Sequence, residues 1–322
     1  MDAKITKQRL ARMLSYDWIK IIAVIAAGIF FWALVFTTSA TRITPAQNFY
    51  VFNYHCNRTL SNKFHAHLDA AFENGLFSYE VLDYAVGDLV AAGDYTSAVL
   101  DARMSTSEGD VIFLPNIPDE SYATINQETG EKVYTYTYLQ SFVGTYSSVL
   151  YDLDDYFESL ESYLNDCYGG DYKTGTLDEQ KVKAAFRDRI EKSKDKRFKK
   201  QAQIAQGEEW EVARVQKYKA AWEEFQGYMQ SGYVSLTSVE VKAGEEISVS
   251  GNYAINLCPD ETANPYLKDY VSYSGENGRT AKDMQVLLFK FHDVDATFEF
   301  ESVLYLNDLI KQCKAAQSAE QG

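Results

Sequence analysis

The sequence predicts an α/β protein that begins with a transmembrane helix. Three observations support this fold class. Residues 21–41 carry no charge, strand-like and helix-like patterns alternate between residues 48 and 116, and the apolar run 111–114 is closed by Pro115. A short strand without alternating polar residues is typical of the centre of a parallel sheet, where helices cover both faces. We therefore expect a parallel βαβαβ unit after the membrane segment.

The membrane segment is predicted from its length and apolarity. At about 1.5 Å per residue, a helix over residues 21–41 spans about 30 Å, which is the thickness of a bilayer core. The basic residues before or at the start of this run are Lys4, Lys7, Arg9, Arg12 and Lys20, whereas Arg42 alone follows it closely. The positive-inside rule then places residues 1–18 in the cytoplasm, residues 19–41 in the lipid bilayer and residues 42–322 outside.

A cleaved signal peptide is the alternative interpretation of this segment. Residues 38–40 are small, as a signal peptidase requires. The apolar run is longer than the usual signal core of about 7–15 residues. It also contains the bulky side chains of Phe30, Phe31 and Trp32. Both features favour an uncleaved anchor.

Charge and cysteine content limit the partners and the compartment. The chain has 322 residues and a formal charge of −15, which argues against nucleic acid as a partner because phosphate-binding surfaces need clustered Lys and Arg. The cysteines are Cys56, Cys167, Cys258 and Cys313, all on the predicted outer side, where disulfides persist. Their spacing does not select among the three pairings, and buried free thiols are an equal alternative.

The βαβαβ unit is predicted within residues 48–116. Its strands are expected at 48–54, 76–86 and 111–114, and its helices at 59–74 and 96–104. The first helix carries Leu60, Phe64 and Leu68 at steps of four, which is one stripe of a helix. Right-handed crossovers would make all three strands parallel. Residues 133–138 alternate tyrosine with other side chains and predict a further extended segment.

Residues 147–232 are predicted to form a helical insertion. An acidic helix occupies 147–168, a capping box at residues 176–179 opens a basic helix that runs to about residue 205, and a third helix over 207–232 forms a hairpin with it. The basic helix could contact anionic lipid or polymer, or it could be a solvated face that pairs with acidic side chains. Strand patterns follow Gly232, and residues 247–315 return to the first lobe and end in a helix.

The pattern resembles the first lobe of the extracellular solute-binding proteins of ATP-driven importers, especially the sugar-binding group. The residues that carry the resemblance are Leu100, Ala102, Arg103, Gly109, Asp110 and Val111, followed by Leu150, Asp152, Leu153 and Tyr156. The glycine-tyrosine-proline strand and the asparagine-bearing strand that build the second lobe in this family are not found after residue 165. The resemblance therefore implies a periplasmic-binding-protein-like lobe whose second lobe is reduced or replaced by the helical insertion.

A ligand face is expected at the carboxyl ends of the parallel strands. The candidate ligand-binding residues are Asn53, Tyr54 and His55 after strand one, Asp83 and Tyr84 near the end of strand two, Asn116 after strand three, and Tyr253 and Asn256 on the returning strand. No cofactor is expected, and no catalytic motif is found. His65 and His67 point about 200° apart on a helix and cannot share a metal ion.

These observations predict a membrane-anchored, non-enzymatic protein on the outer face of the membrane. The resemblance implies capture of a small solute, with a saccharide favoured, for an importer whose permease would be a partner. The alternative is a surface scaffold that retains the lobe and has lost the ligand. A surface hydrolase of unrecognised geometry is a third interpretation.

Overall fold

A computed structural model describes residues 7–39, 43–56, 62–89, 95–243, 246–291 and 300–321. The chain divides into two compact units, Met1–Arg42 and Ile43–Gly322. Parts of the sequence predictions lie outside the described residues: residues 1–6 of the cytoplasmic segment, residues 40–41 of the membrane segment, residues 59–61 of the first crossover helix, and residues 292–299 of the return segment.

The described residues of the first unit form the helix α1, at Lys7–Ser39. Within it, Trp18–Phe36 is long and apolar enough to cross a bilayer, and none of this stretch is buried. An N-terminal signal sequence has the same length and composition. The helix therefore agrees with single-pass anchoring.

The second unit is a mixed α/β structure. Its strands are β1 (Asn48–Asn53), β2 (Asp83–Asp88), β3 (Val111–Pro115), β4 (Ala123–Ile125), β5 (Lys132–Tyr134), β6 (Ser235–Ala243), β7 (Glu246–Asn256), β8 (Tyr273–Gly275), β9 (Gly278–Thr280) and β10 (Met284–Leu288). Its helices are α2 (Asn62–Glu73), α3 (Thr96–Ser105), α4 (Tyr138–Tyr146), α5 (Leu153–Cys167), α6 (Glu179–Ser193), α7 (Gln201–Gln230) and α8 (Glu301–Gln321).

One six-stranded sheet, in the order β2-β1-β3-β10-β7-β6, organises this unit. β1 pairs in parallel with both β2 and β3, which confirms the parallel βαβαβ arrangement. β10 is antiparallel to β3 and β7, so the sheet is mixed rather than wholly parallel. All residues of β3 are buried, as its apolar run predicts for a central strand.

Two hydrophobic cores cover the two faces of the sheet. The larger core packs side chains of α2, α5, α7 and α8 against one face, with Phe64, Leu160, Phe225 and Leu309 among its most buried members. The smaller core packs α3 and α4 against the other face, through Leu100, Phe142 and Val143. The result is a three-layer arrangement of helices, sheet and helices.

The prediction of a strand at residues 76–86 is wrong in its position. Residues 76–82 form turns, and β2 occupies Asp83–Asp88 instead. The apolar side chains of Phe77 and Val81 belong to this loop and pack into the larger core. The side chain of Glu301 on α8 accepts a hydrogen bond from the Ser78 backbone N–H at 3.0 Å and holds this loop against that helix.

The predicted extended segment at residues 133–138 also differs from the structure. A short β4–β5 hairpin takes residues 123–134, and helix α4 begins at Tyr138. The Thr137 hydroxyl accepts from the Gln140 N–H at 3.3 Å, and the Gln140 side chain accepts from the Thr137 N–H at 3.0 Å. This capping box opens a helix where the tyrosine alternation favours a strand.

The helical hairpin is present, but its turn lies earlier than predicted. α6 ends at Ser193, and Lys194 adopts the left-handed conformation with φ 54°. Gly207, at the predicted break, lies inside α7 and faces the aromatic rings of Phe186 and Phe198. This glycine therefore serves close packing rather than a turn.

Several basic residues of α6 pair with acidic side chains, as the solvated-face interpretation predicts. Lys183 contacts Glu209 of α7 at 2.6 Å, and Lys192 contacts Asp188 of its own helix at 2.6 Å. Lys181 pairs with Asp166 at the end of α5. Such exposed pairs each contribute little, on the order of 0–1 kcal/mol.

All four cysteines are free and buried, so the structure favours buried thiols over disulfides. Burial raises the pKa of the Cys313 thiol to about 12 and that of Cys258 to about 12. Burial likewise raises the pKa of Cys167 to about 11. These thiols stay protonated at neutral pH and serve as apolar core side chains.

Candidate functional site

The sheet brings the ends of three strands together at one edge. β7 runs in the same direction as β1 and β3, because β10 is antiparallel to both β3 and β7. Asn53, Asn116 and Asn256 therefore lie at the same edge, as the topology predicts. The Tyr54 N–H donates to the Phe113 carbonyl at 2.8 Å, which fixes the chain where it leaves β1. We call this surface the carboxyl edge and define it by Asn53, Tyr54, His55, Asn116, Asp119, Tyr138, Asn256 and Asp283.

Two asparagines at the carboxyl edge have unsatisfied amide atoms. The side chain of Asn53 is only 1% exposed, and neither Oδ1 nor Nδ2 has a hydrogen-bond partner among the described residues. The Oδ1 of Asn116 is likewise buried and without a partner in the described part of the chain. A buried polar atom left unpaired costs about 1–3 kcal/mol. These amides mark a place where a polar ligand or ordered water would complete the hydrogen bonding.

The residues that follow Asn53 in the chain contribute to an aromatic cluster. His55 has φ 53°, which turns the chain sharply after β1. Its imidazole stacks on the Tyr138 ring with centroids 3.6 Å apart and an interplanar angle of 17°. Tyr54 packs against the same imidazole at 4.1 Å. The capping box of α4 positions Tyr138 at the first turn of that helix.

The charge state of this aromatic group follows from its surroundings. Burial lowers the pKa of His55, and the nearby carboxylate of Asp119 opposes this effect. The imidazole is therefore neutral at pH 7 and offers one donor and one acceptor. Asp119 is itself held in place, because the Ser141 hydroxyl donates to its Oδ2 at 2.6 Å.

Asn256 lies at the carboxyl edge, but its side chain is already engaged. Its Nδ2 donates to Asp283 Oδ1 at 2.9 Å, and its Oδ1 accepts from the Cys258 N–H at 3.0 Å. Asp283 also presents its backbone carbonyl to the Asn116 N–H at 3.0 Å. The Asn256–Asp283 pair therefore ties the loops of β3, β7 and β10 together.

Three candidate residues lie away from the carboxyl edge. Asp83 pairs in register with Asn48, so Asp83 and Tyr84 begin β2 at the opposite edge, and their predicted position near the end of the strand is wrong. The displaced strand boundary causes this error. The Tyr84 hydroxyl donates to Asp69 of α2. Tyr253 lies inside β7, where burial and then Asp152 raise the pKa of its phenol.

The sequence predictions do not include Tyr138, Asp119 or Asp283. Tyr138 could be identified from the T-x-x-Q capping box at 137–140, which predicts a helix start. Asp283 directly precedes β10, and β10 is absent from the predictions. Asp119 lies in the loop after β3, and the Pro118–Thr137 bridge joins this loop to the start of α4.

Comparison with known proteins returned no match to this chain among family models, curated proteins or solved structures. The chemistry of the carboxyl edge is therefore argued from its own residues. Unpaired amides, a neutral imidazole and flat aromatic rings can bind a neutral polar molecule through hydrogen bonds and stacking.

Proposed function

We propose that this chain is a membrane-anchored extracellular solute-binding protein that captures a small solute, with a saccharide as the favoured class, for an ATP-driven importer. The bilayer would hold it through residues 19–41, and the importer permease would receive the solute. The single observation that carries this proposal is that the carboxyl edge holds both the buried, unpaired amides of Asn53 and Asn116 and the His55–Tyr138 stack.

A saccharide matches these groups in two ways. Its hydroxyls can donate to and accept from amide atoms, as Asn116 Oδ1 requires. The apolar C–H face of a sugar ring can pack on a flat aromatic ring such as Tyr138. The carboxyl ends of parallel strands are also where open α/β sheets bind ligands.

The first test is thermal stabilisation of the full-length protein in detergent micelles by a panel of neutral mono- and oligosaccharides. A ligand that binds the native state alone stabilises it by about 2.7 kcal/mol at a concentration of 100 Kd. We expect at least one sugar to raise Tm by several degrees, and both Tyr138→Ala and Asn116→Ala to abolish that shift. Asp83→Asn, at the opposite edge, is the matched control and should respond like the unmodified protein.

A flat response across the panel, or a shift that survives both edge substitutions, would contradict saccharide capture at this edge. The scaffold alternative would then be favoured. One observation supports that alternative: the β4–β5 hairpin exposes Ile125 to 69% and Val133 to 49%, and exposed apolar side chains can contact another protein.

The proposed orientation has its own test. The basic residues before or at the start of the apolar run favour a cytoplasmic N-terminus, so residues 42–322 should be outside. Protease added to intact cells that express the chain with an N-terminal tag should remove the second unit and leave the tagged segment in the membrane. A second unit that resists protease in intact cells and is digested only after lysis would reverse the orientation. A second unit found free in the medium would indicate a cleaved signal sequence.

A further inference from the structure

A cavity lies apart from the carboxyl edge, between α2 and α8. Its volume is about 470 Å³, within the range of about 300–1,000 Å³ typical of small-molecule sites. One face of α2 lines it with Ala66, Ala70 and Ala71, and α8 contributes Asp308 and Gln312. The alanines make a smooth apolar wall, because they lie at helical spacings of three to five residues.

The polar end of this cavity is a histidine–aspartate pair. His67 is 7% exposed, and its Nε2 lies 2.7 Å from Asp308 Oδ2. Its Nδ1 is buried and has no hydrogen-bond partner in the part of the chain that the structure describes. The ring of Tyr270 packs edge-on against the imidazole with centroids 5.8 Å apart.

The charged side chains of the cavity leave one carboxylate partly exposed. Lys63 is the one lysine or arginine among the described residues that line the cavity, and its Nζ is bound to Asp269 at 2.9 Å. Asp308 pairs with His67 alone among the described residues, and its side chain retains 23% exposure. The exposed part of this carboxylate can therefore accept a further hydrogen bond from a ligand.

We propose that this cavity is a binding site for a small organic monocation, an alkylammonium or arylammonium. The charged nitrogen would donate to Asp308 in a charge-assisted hydrogen bond. Tyr270 adds an aromatic side chain to the cavity lining, a type of group that attracts organic cations. The short apolar body of the ligand would pack on Ala66, Ala70 and Ala71. This inference is independent of the proposed function at the carboxyl edge.

The test uses the full-length protein in detergent micelles with three probes of matched size: n-butylammonium, 1-butanol and butyrate, at constant ionic strength. We expect n-butylammonium alone to raise Tm and to give a saturable isotherm by calorimetry. Asp308→Asn should weaken its binding by about tenfold or more, as removal of one charge-assisted contact implies. Asp166→Asn, which removes a carboxylate that pairs with Lys181 instead, should bind like the unmodified protein.

A second variant tests the cavity without altering its charge. Ala70 is exposed at the cavity wall, so Ala70→Phe fills the space while leaving the core intact. We expect this variant to fold and to lose n-butylammonium binding. If Asp308→Asn does not fold, Ala70→Phe alone tests whether n-butylammonium binds in this cavity. Equal stabilisation by 1-butanol, or retained n-butylammonium binding in Ala70→Phe, would overturn the proposal, and so would no binding by the unmodified protein.

Discussion

Gly207→Ala is expected to lower the free energy of unfolding by about 2 kcal/mol, within the range for overpacking a filled core. A β-carbon at this position of α7 would lie 2.7 Å from Cε1 of Phe198 and closer still to Cζ of Phe186. Both rings are buried, and they pack edge to face with centroids 5.0 Å apart. Neither ring can move without disturbing the other. The α6–α7 hairpin should therefore loosen at this point.

The matched control for this substitution lies on the same helix. A β-carbon on Gly227 meets no atom within 4 Å. Gly227→Ala should therefore increase the free energy of unfolding by about 0.5–1 kcal/mol, because alanine restricts the unfolded chain and favours the helix. Urea unfolding of the full-length protein in micelles, followed by near-ultraviolet circular dichroism, measures both. If Gly207→Ala left the free energy of unfolding unchanged or raised it, the two rings would not constrain this position.

The part of the fold that depends on local pattern could be predicted from the sequence. The apolar run 111–114 predicted β3, because a strand buried on both faces has apolar residues at successive positions. The four-residue spacing of Phe64 and Leu68 predicted α2, because a helix buried on one side has apolar residues at that spacing. The parallel pairing of β1 with β3 then followed from the connection rule.

The errors occur where tertiary contacts override local pattern. Residues 76–82 resemble a strand because Phe77 and Val81 are apolar. In the structure these two side chains lie in a loop and pack into the larger core, and Glu301 fixes the loop by accepting a hydrogen bond from the Ser78 N–H. Gly207 resembles a helix break and is instead a contact point for two rings. The sequence does not reveal which distant side chain will occupy such a space.

In the candidate site, too, the residues that could be predicted depend on local pattern, and those that could not depend on long-range contacts. Asn53 and Asn116 could be placed at one edge because each directly follows its strand, and parallel strands end together. Asp83 and Tyr84 were misplaced because a shift of the strand boundary carries a residue from one end of the sheet to the other. Asp283 reaches the edge only through β10, whose pairing is long-range.

Glu80→Gln is expected to lower the free energy of unfolding by about 3–5 kcal/mol, because it removes one partner from a buried ionic network. Glu80 is 3% exposed, and it lies in the loop that precedes β2. Its Oε1 accepts from Arg189 at 2.9 Å, and its Oε2 accepts from Arg197. The neutral amide would leave these two guanidinium groups under-compensated in a poorly solvated site.

Each arginine keeps one other carboxylate partner but loses the buried one that joins them. Arg197 retains Asp195 at 2.7 Å. Arg189 also contacts Glu211 at 2.9 Å. Burial acts to raise the pKa of Glu211, but the charges of Arg214 and Arg189 lower it overall. This carboxylate therefore already compensates two guanidinium groups. The network joins the α6–α7 hairpin to the loop that leads into the sheet. Its loss should therefore weaken the attachment of the hairpin as well as the loop.

Asp188→Asn is the control for the loss of a carboxylate on the same hairpin. Asp188 pairs with Lys192 on the solvated face of α6, where both side chains are more than half exposed. Such a pair contributes about 0.3–0.5 kcal/mol at most, so this variant should unfold almost like the unmodified protein. Limited proteolysis gives a second readout, since Glu80→Gln should expose cleavage sites between α6 and α7 before the sheet unfolds. If Glu80→Gln were as stable as Asp188→Asn, then Glu211, Asp195 and water would suffice to compensate the arginines, and the hairpin would be held by its aromatic contacts rather than by Glu80.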